Sequence, residues 1–234
     1  MTALTCRIVA SMTYLCMGAR GAAATVAGEE HIHVYTMKNN HGDRSRWCAN
    51  VIIADAGYID SVAFNLTVNF ERIIGRRISK ADMALWIDCV ALDGGLRPGD
   101  NETSVILIYD KDKPALECFT PGGLDSELNG KAFRDNLGEF AMTALPVETA
   151  IVGKDDFMED VLMTAVNHAD VRRVMLIADE ESMFERARHA LRQTPEGKSV
   201  TVFTMQPRAG GNFRQEMLGY SLMEALGIKA DEIK

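Results

Sequence analysis

Short apolar runs punctuate the chain at residues 51–54, 105–109, 140–145, 174–178 and 200–204, each bounded by polar or turn-forming residues. The aliphatic runs lack the alternation of a half-exposed strand, so they predict strands buried on both faces. Between them the apolar residues recur at helical spacing. Phe64, Phe70, Ile73 and Ile74 mark a helix that Asp60 or Ser61 can cap and Gly75 stops. Ser79 and Asp82 open a second helix, with Met83, Trp86, Ile87 and Val90 on one face and Gly94-Gly95 at its end. Asp156 with Glu159 has capping-box spacing ahead of a helix over 157–166. Met183, Phe184, Ala187 and Leu191 form the face of another. Asn212 with Gln215 caps a last helix carrying Phe213, Met217, Tyr220 and Leu226.

Helices alternating with short aliphatic strands imply right-handed β-α-β crossovers and a parallel sheet. The strands at 51–54 and 174–178 should lie side by side, with 200–204 beyond the latter. Residues 96–103 predict a loop, 115–119 a strand pairing back on 105–109 as a hairpin, and 121–137 a mixed segment with one short helix. The fold class is therefore α/β, a single three-layer domain with a mainly parallel sheet over 51–234. Residues 1–50 form an N-terminal appendage. Within it, residues 8–19 loosely imitate a secretory signal, but Arg20 interrupts the pattern; a non-native or loose leader up to residue 36 fits better. His31-x-His33 offers two metal-binding nitrogens without a third ligand nearby.

Composition narrows the picture. With 47% hydrophobic residues in a chain of 234, a core forms without disulfides or a structural metal. The five cysteines are odd in number and none has C-x-x-C spacing, so neither a disulfide framework nor a thiolate zinc site is expected. No run is long enough to span a membrane, and the expected location is cytoplasmic. The net charge of −8 repels phosphate backbones at a distance, so any nucleic-acid role needs a metal or a local basic patch. Arg72, Arg76, Arg77 and Lys80, then Arg172 and Arg173, then Arg186, Arg188 and Arg192 are such clusters, though interspersed acids also suit a solvated helix face.

The candidate chemistry sits at strand ends, where open parallel sheets bind ligands. Two of the strongest strands run into aspartate, at Asp55 and at Asp179. If both strands are central, these carboxylates share a crevice, and Glu159 or Asp160 can supply a third. Acids converging without basic partners repel one another, and Mg²⁺ or Mn²⁺ relieves that repulsion. The simpler alternative is capping, which alone accounts for Asp55, Asp60, Asp156 and Asp179. Dinucleotide, P-loop and nucleophile-elbow motifs are absent.

The order strand–Asp55, helical region, two strands, helix with Glu159-Asp160, strand–Asp179, helix, strand resembles the PIN-like nucleases, and among them the NYN branch. The likeness covers roughly residues 51–203 and lies in element order more than motif identity. It implies a flavodoxin-like parallel sheet and a metal-dependent ribonuclease, with Asp55, Asp160 and Asp179 catalytic and with Asp55, Glu159, Asp160 and Asp179 as ligands of Mg²⁺ or Mn²⁺. The sequence departs from the family pattern at Tyr58, where an asparagine is usual, at Ala178, where glycine is, and around Glu181-Ser182, where a second aspartate is. A non-catalytic binding or assembly module on the same fold is the alternative. RNA is the partner that the resemblance implies, self-association stays open, and no membrane partner is expected.

Overall fold

A computed structural model describes residues 35–36, 47–149, 151 and 153–233. The strands are β1 (Tyr35–Thr36), β2 (Asn50–Asp55), β3 (Ala81–Asp82), β4 (Asn101–Asp110), β5 (Phe119–Thr120), β6 (Lys131–Asp135), β7 (Gly138–Val147), β8 (Arg173–Ile177), β9 (Ser199–Thr204) and β10 (Arg214–Met217). The helices are α1 (Ala56–Ile74), α2 (Met83–Asp93), α3 (Lys154–Asn167), α4 (Glu180–Ala190) and α5 (Leu218–Ala225). Eight strands form one sheet in the order β1-β6-β7-β4-β2-β8-β9-β10. From β7 to β10 all neighbours are parallel. At the other edge β6 and β1 run antiparallel to their neighbours.

The expected arrangement of the central strands holds: Val51 faces Val174, and Leu176 faces Val202. The six residues of β2 are all buried, and the period of two decides which core each joins. Ile52 and Ala54 pack with Met175, Ile177 and Phe203 against residues of α1, α2 and α5. Val51 and Ile53 pack with Val174, Leu176 and Val202 against residues of α3 and α4. The result is three layers. Each fully buried valine or isoleucine contributes roughly 1.5–3 kcal/mol, so this continuous aliphatic strand anchors both cores at once.

Several local expectations change. Helix α1 starts directly after β2, four residues before the expected cap at Asp60, because Asp55 itself takes that role. Its side chain accepts the Tyr58 N–H at 3.1 Å. The expected capping box at Asp156 and Glu159 does not form; α3 begins at Lys154 with Gly153 at its N-cap. The expected hairpin of 115–119 onto 105–109 is replaced by a separate two-stranded sheet in which β5 runs parallel to β3. Both flanks of β4 are already occupied, by β2 and β7, which leaves no edge for a hairpin partner. Strand β6 and a π-helical turn over Leu124–Leu128 occupy the segment expected to be mixed. Strand β10 takes the place of the first turn of the last helix, which starts instead at Leu218.

Of residues 1–50, Tyr35–Thr36 pair with β6, and Trp47 is buried in the α3/α4 core. The stretch at 8–19 and His31-x-His33 lie outside the described residues. Among the described cysteines, Cys89 and Cys118 are free and Cys48 is disulfide-bonded. No helix among the described residues is long and apolar enough to cross a membrane.

The topology places a functional edge. The helix after β2 packs on one face of the sheet and the helix after β8 on the other. These neighbouring strands therefore diverge at their C-terminal ends, which is where a crevice opens in such a sheet.

Candidate functional site

Three adjacent parallel strands deliver an acid to this crevice: β2 ends at Asp55, β4 at Asp110, and Asp179 lies two residues past the end of β8. All three line a cavity of about 550 Å³ whose other walls include Tyr58, Phe64 and Lys154. A second cavity of about 410 Å³ shares the three aspartates and Lys154 and extends to Asp156 and Arg186.

Lys154 organises the centre. As the first residue of α3 it projects its ammonium to 2.9 Å from Asp55 Oδ2 and 3.6 Å from Asp110 Oδ2. It also donates to Asp55 Oδ1 at 3.1 Å. Asp55 is only 3% exposed at its side chain and Lys154 22%, so solvent does little to screen the pair. Burial alone disfavours the ammonium, but the Asp55 carboxylate, with Asp110 behind it, outweighs that and holds the Lys154 pKa above its ordinary value. A Cβ on Gly57 would sit 3.5 Å from Asp55 Oδ1 and 3.7 Å from Lys154 Nζ. The missing side chain at Gly57 leaves this ion pair bordering the cavity.

Asp179 caps α4, accepting the Glu181 N–H at 2.9 Å. Its neighbour Glu180 accepts the Met205 N–H at 2.7 Å and pairs with Arg208 at 3.4 Å. Tyr58 faces this acidic wall. Burial first, then Glu180 and Asp179, push its hydroxyl up to about 12, so it stays a neutral hydrogen-bonding group at physiological pH. Asp60, expected as a cap, instead sits inside α1. It accepts the N–H groups of Glu117 and Cys118 at 3.1 and 2.8 Å, tying the loop before β5 to the cavity wall.

The predicted acids divide accordingly. Asp55 and Asp179 share the crevice. Glu159 does not line it; it bonds Arg186 of α4 at 2.8 Å, as does Asp156. Asp160 is exposed on α3 and lines neither cavity. Among the described residues, no three His, Cys, Asp or Glu side chains are grouped to hold a metal ion.

Two residues of the centre escaped the sequence reading. Asp110 carried the same signal as Asp55, an apolar strand running into aspartate, at the end of the run over 105–109. Lys154 had a different signal. A cation in the first turn of a helix opposes the helix dipole, and such a mismatch points to a partner elsewhere in the fold.

Comparison with known proteins adds a family and no function. No curated protein and no solved structure matches the chain. A family model covers residues 44–233, nearly all of the α/β domain, and the chain thus belongs to DUF6621, a family of unknown function.

Proposed function

We propose that the domain is a non-catalytic binding or assembly module built on a PIN-like, NYN-type plan, in which Lys154 stands between Asp55 and Asp110 where a metal ion would otherwise sit. The observation that carries this reading is the ammonium 2.9 Å from Asp55 Oδ2 and 3.6 Å from Asp110 Oδ2. A fixed ammonium supplies the charge neutralisation a metal would give. It has no open coordination position at which to ionise a water or hold a phosphate oxygen. The acids that would complete a metal site, Glu159 and Asp160, face Arg186 and solvent instead. Five carboxylates, Asp55, Asp60, Asp110, Glu117 and Asp179, line the larger cavity against two lysines. That surplus repels a phosphodiester and suits a cationic group on a partner.

The metal-dependent ribonuclease is the second reading. It is favoured by the meeting of Asp55, Asp110 and Asp179 in one crevice, and it requires Mg²⁺ or Mn²⁺ to displace Lys154 from Asp55. One experiment separates the two. Mn²⁺ is titrated by calorimetry into the wild type and Lys154→Ala, and both are incubated with single-stranded RNA. The module reading expects no binding and no cleavage by the wild type, and Mn²⁺ binding without cleavage once the carboxylates are uncovered in Lys154→Ala. Mn²⁺-dependent cleavage by the wild type, lost in Asp55→Asn, overturns it and establishes the nuclease.

A further inference from the structure

At the opposite, N-terminal edge of the sheet the charges reverse. Strand β8 begins at Arg173 and β10 at Arg214, and both guanidinium groups turn toward the loop that leaves α2. The point where a Cβ on Gly95 would stand is 3.3 Å from Arg214 Nη1, 3.9 Å from Arg173 Nε and 4.0 Å from Arg173 Nη2. Gly95 has a φ of 90°, a left-handed conformation that a side chain rarely adopts, so no side chain of its own enters between the two guanidinium groups. Arg97 follows two residues later.

The hydrogen bonds around these arginines are uneven. Arg214 is satisfied: it pairs with Glu216 at 2.6 Å and also donates to the Asp93 carbonyl at the end of α2. Arg173 donates from Nη1 to Asn50 Oδ1 at 2.9 Å, but its Nε is buried with no partner. Among the described residues, Arg97 donates to the carbonyl of its own neighbour Leu96, at 3.2 Å. Neither Arg97 nor Arg173 has a carboxylate within salt-bridge distance among the described residues. Burial, then repulsion from Arg97 and Arg214, pulls the Arg173 pKa below its ordinary value, and no acid offsets them. A half-buried arginine beside like charges, with a buried N–H that lacks a partner among the described residues, is a costly arrangement. Two neighbouring guanidinium forks match the oxygens of a tetrahedral oxyanion.

We infer that Arg173 and Arg214, which meet beside Gly95, form with the nearby Arg97 a binding site for a phosphate group. The ligand supplies the acceptors that Arg173 Nε and Arg97 lack, and its charge cancels their mutual repulsion. The same chemistry is offered by free phosphate and by the phosphate of a mononucleotide. The site is separate from the Lys154 crevice and does not depend on what occupies that crevice.

The test is calorimetry at constant ionic strength on the full chain, titrating inorganic phosphate in one arm and adenosine monophosphate in the other. The proteins are the wild type, Arg173→Met and Arg97→Met. Arg97→Met keeps the test valid if Arg173→Met fails to fold, because Arg97 is exposed and, among the described residues, bonds its neighbour. The wild type is expected to bind one phosphate, and each variant to bind at least about tenfold more weakly. Equal affinities in the two arms identify free phosphate as the ligand; tighter binding of the nucleotide identifies a phosphomonoester. Arg97→Met should also keep or raise the melting temperature in phosphate-free buffer, since it removes a repulsion. No binding by the wild type, or equal binding by all three proteins, overturns the site.

Discussion

The two ends of the sheet solve the same electrostatic problem in opposite ways. At the C-terminal end, Asp55 and Asp110 converge and Lys154, reaching across from α3, bridges them with an internal counter-charge. At the N-terminal end, Arg173 and Arg214 meet near Arg97; among the described residues only Arg214 is paired with a carboxylate, and the buried Nε of Arg173 lacks a partner. Like charges held close together persist in a fold when a counter-charge is covalently part of it or when one arrives from solution. The crevice follows the first course, which argues against an obligatory metal there. At the arginine edge the proposed phosphate is the second kind.

The comparison breaks most visibly at Lys154. Lys154→Met strips the counter-charge from a carboxylate that is 3% exposed, so it should cost about 3–5 kcal/mol, a fall in melting temperature on the order of ten degrees for a domain of this size. Adding Asp55→Asn should recover much of that loss, because the unpaired charge leaves with its partner. A double variant no more stable than Lys154→Met in thermal denaturation would mean that the lysine acts by packing and not by charge.

A third carboxyl sharpens the contrast, since it has neither lysine nor ligand. Asp88 on α2 is buried, its Oδ1 lacks a partner, and it lies beside Asp135 of β6. Burial first, then Asp135 and Asp82, push it up to about 8, so it takes a proton instead of a counter-ion. A carboxyl with a raised folded pKa stabilises the fold fully below its unfolded value near 4, and that stability is lost as pH rises through about 8. Asp88→Asn removes the titration. Its melting temperature should fall less than that of the wild type between pH 5 and 8, and exceed it by several degrees at pH 8. Parallel melting curves across that range would refute the assignment.

The smallest effect is expected at Asp179. As an N-cap it tolerates asparagine, so Asp179→Asn should change stability by less than about 0.5 kcal/mol, and Asp179→Ala should cost about 1 kcal/mol. A large loss from the asparagine variant in chemical denaturation would reveal a role for its charge in the crevice, and would move Asp179 into the group that Lys154 serves.

The central strands were legible in the sequence for a physical reason. Burial on both faces leaves a continuous aliphatic run, and β2 and β8 show it openly. Edge strands write no such pattern. In β10, Arg-Gln-Glu-Met pairs on one side only and no residue is fully buried, so its backbone is held by β9 without any hydrophobic signature. The short β6 was hidden similarly between turns. The site was half legible. Asp55 and Asp179 follow from local sequence because each serves its own helix as a cap. The Lys154–Asp55 pair spans 99 residues, and no local pattern encodes a contact set by the order of strands. Asp60 was misassigned because its residue type suits a cap, while its actual partners, the N–H groups of Glu117 and Cys118, lie 57 and 58 residues away.

The position of β2 also sets a schedule. Its neighbour β8 pairs with it through residues 123 apart, Asn50 opposite Arg173. During synthesis at about 5–20 residues per second, β2 leaves the ribosome on the order of ten seconds before β8 can cover its second edge. For that interval Val-Ile-Ile-Ala presents an uncharged, β-prone ribbon with open amides, the kind of segment on which chains aggregate. Lys154 emerges shortly before β8, so the crevice closes as the ribbon is covered. The same strand that joins both cores of the finished protein is the point at which a nascent chain is most exposed to misassembly.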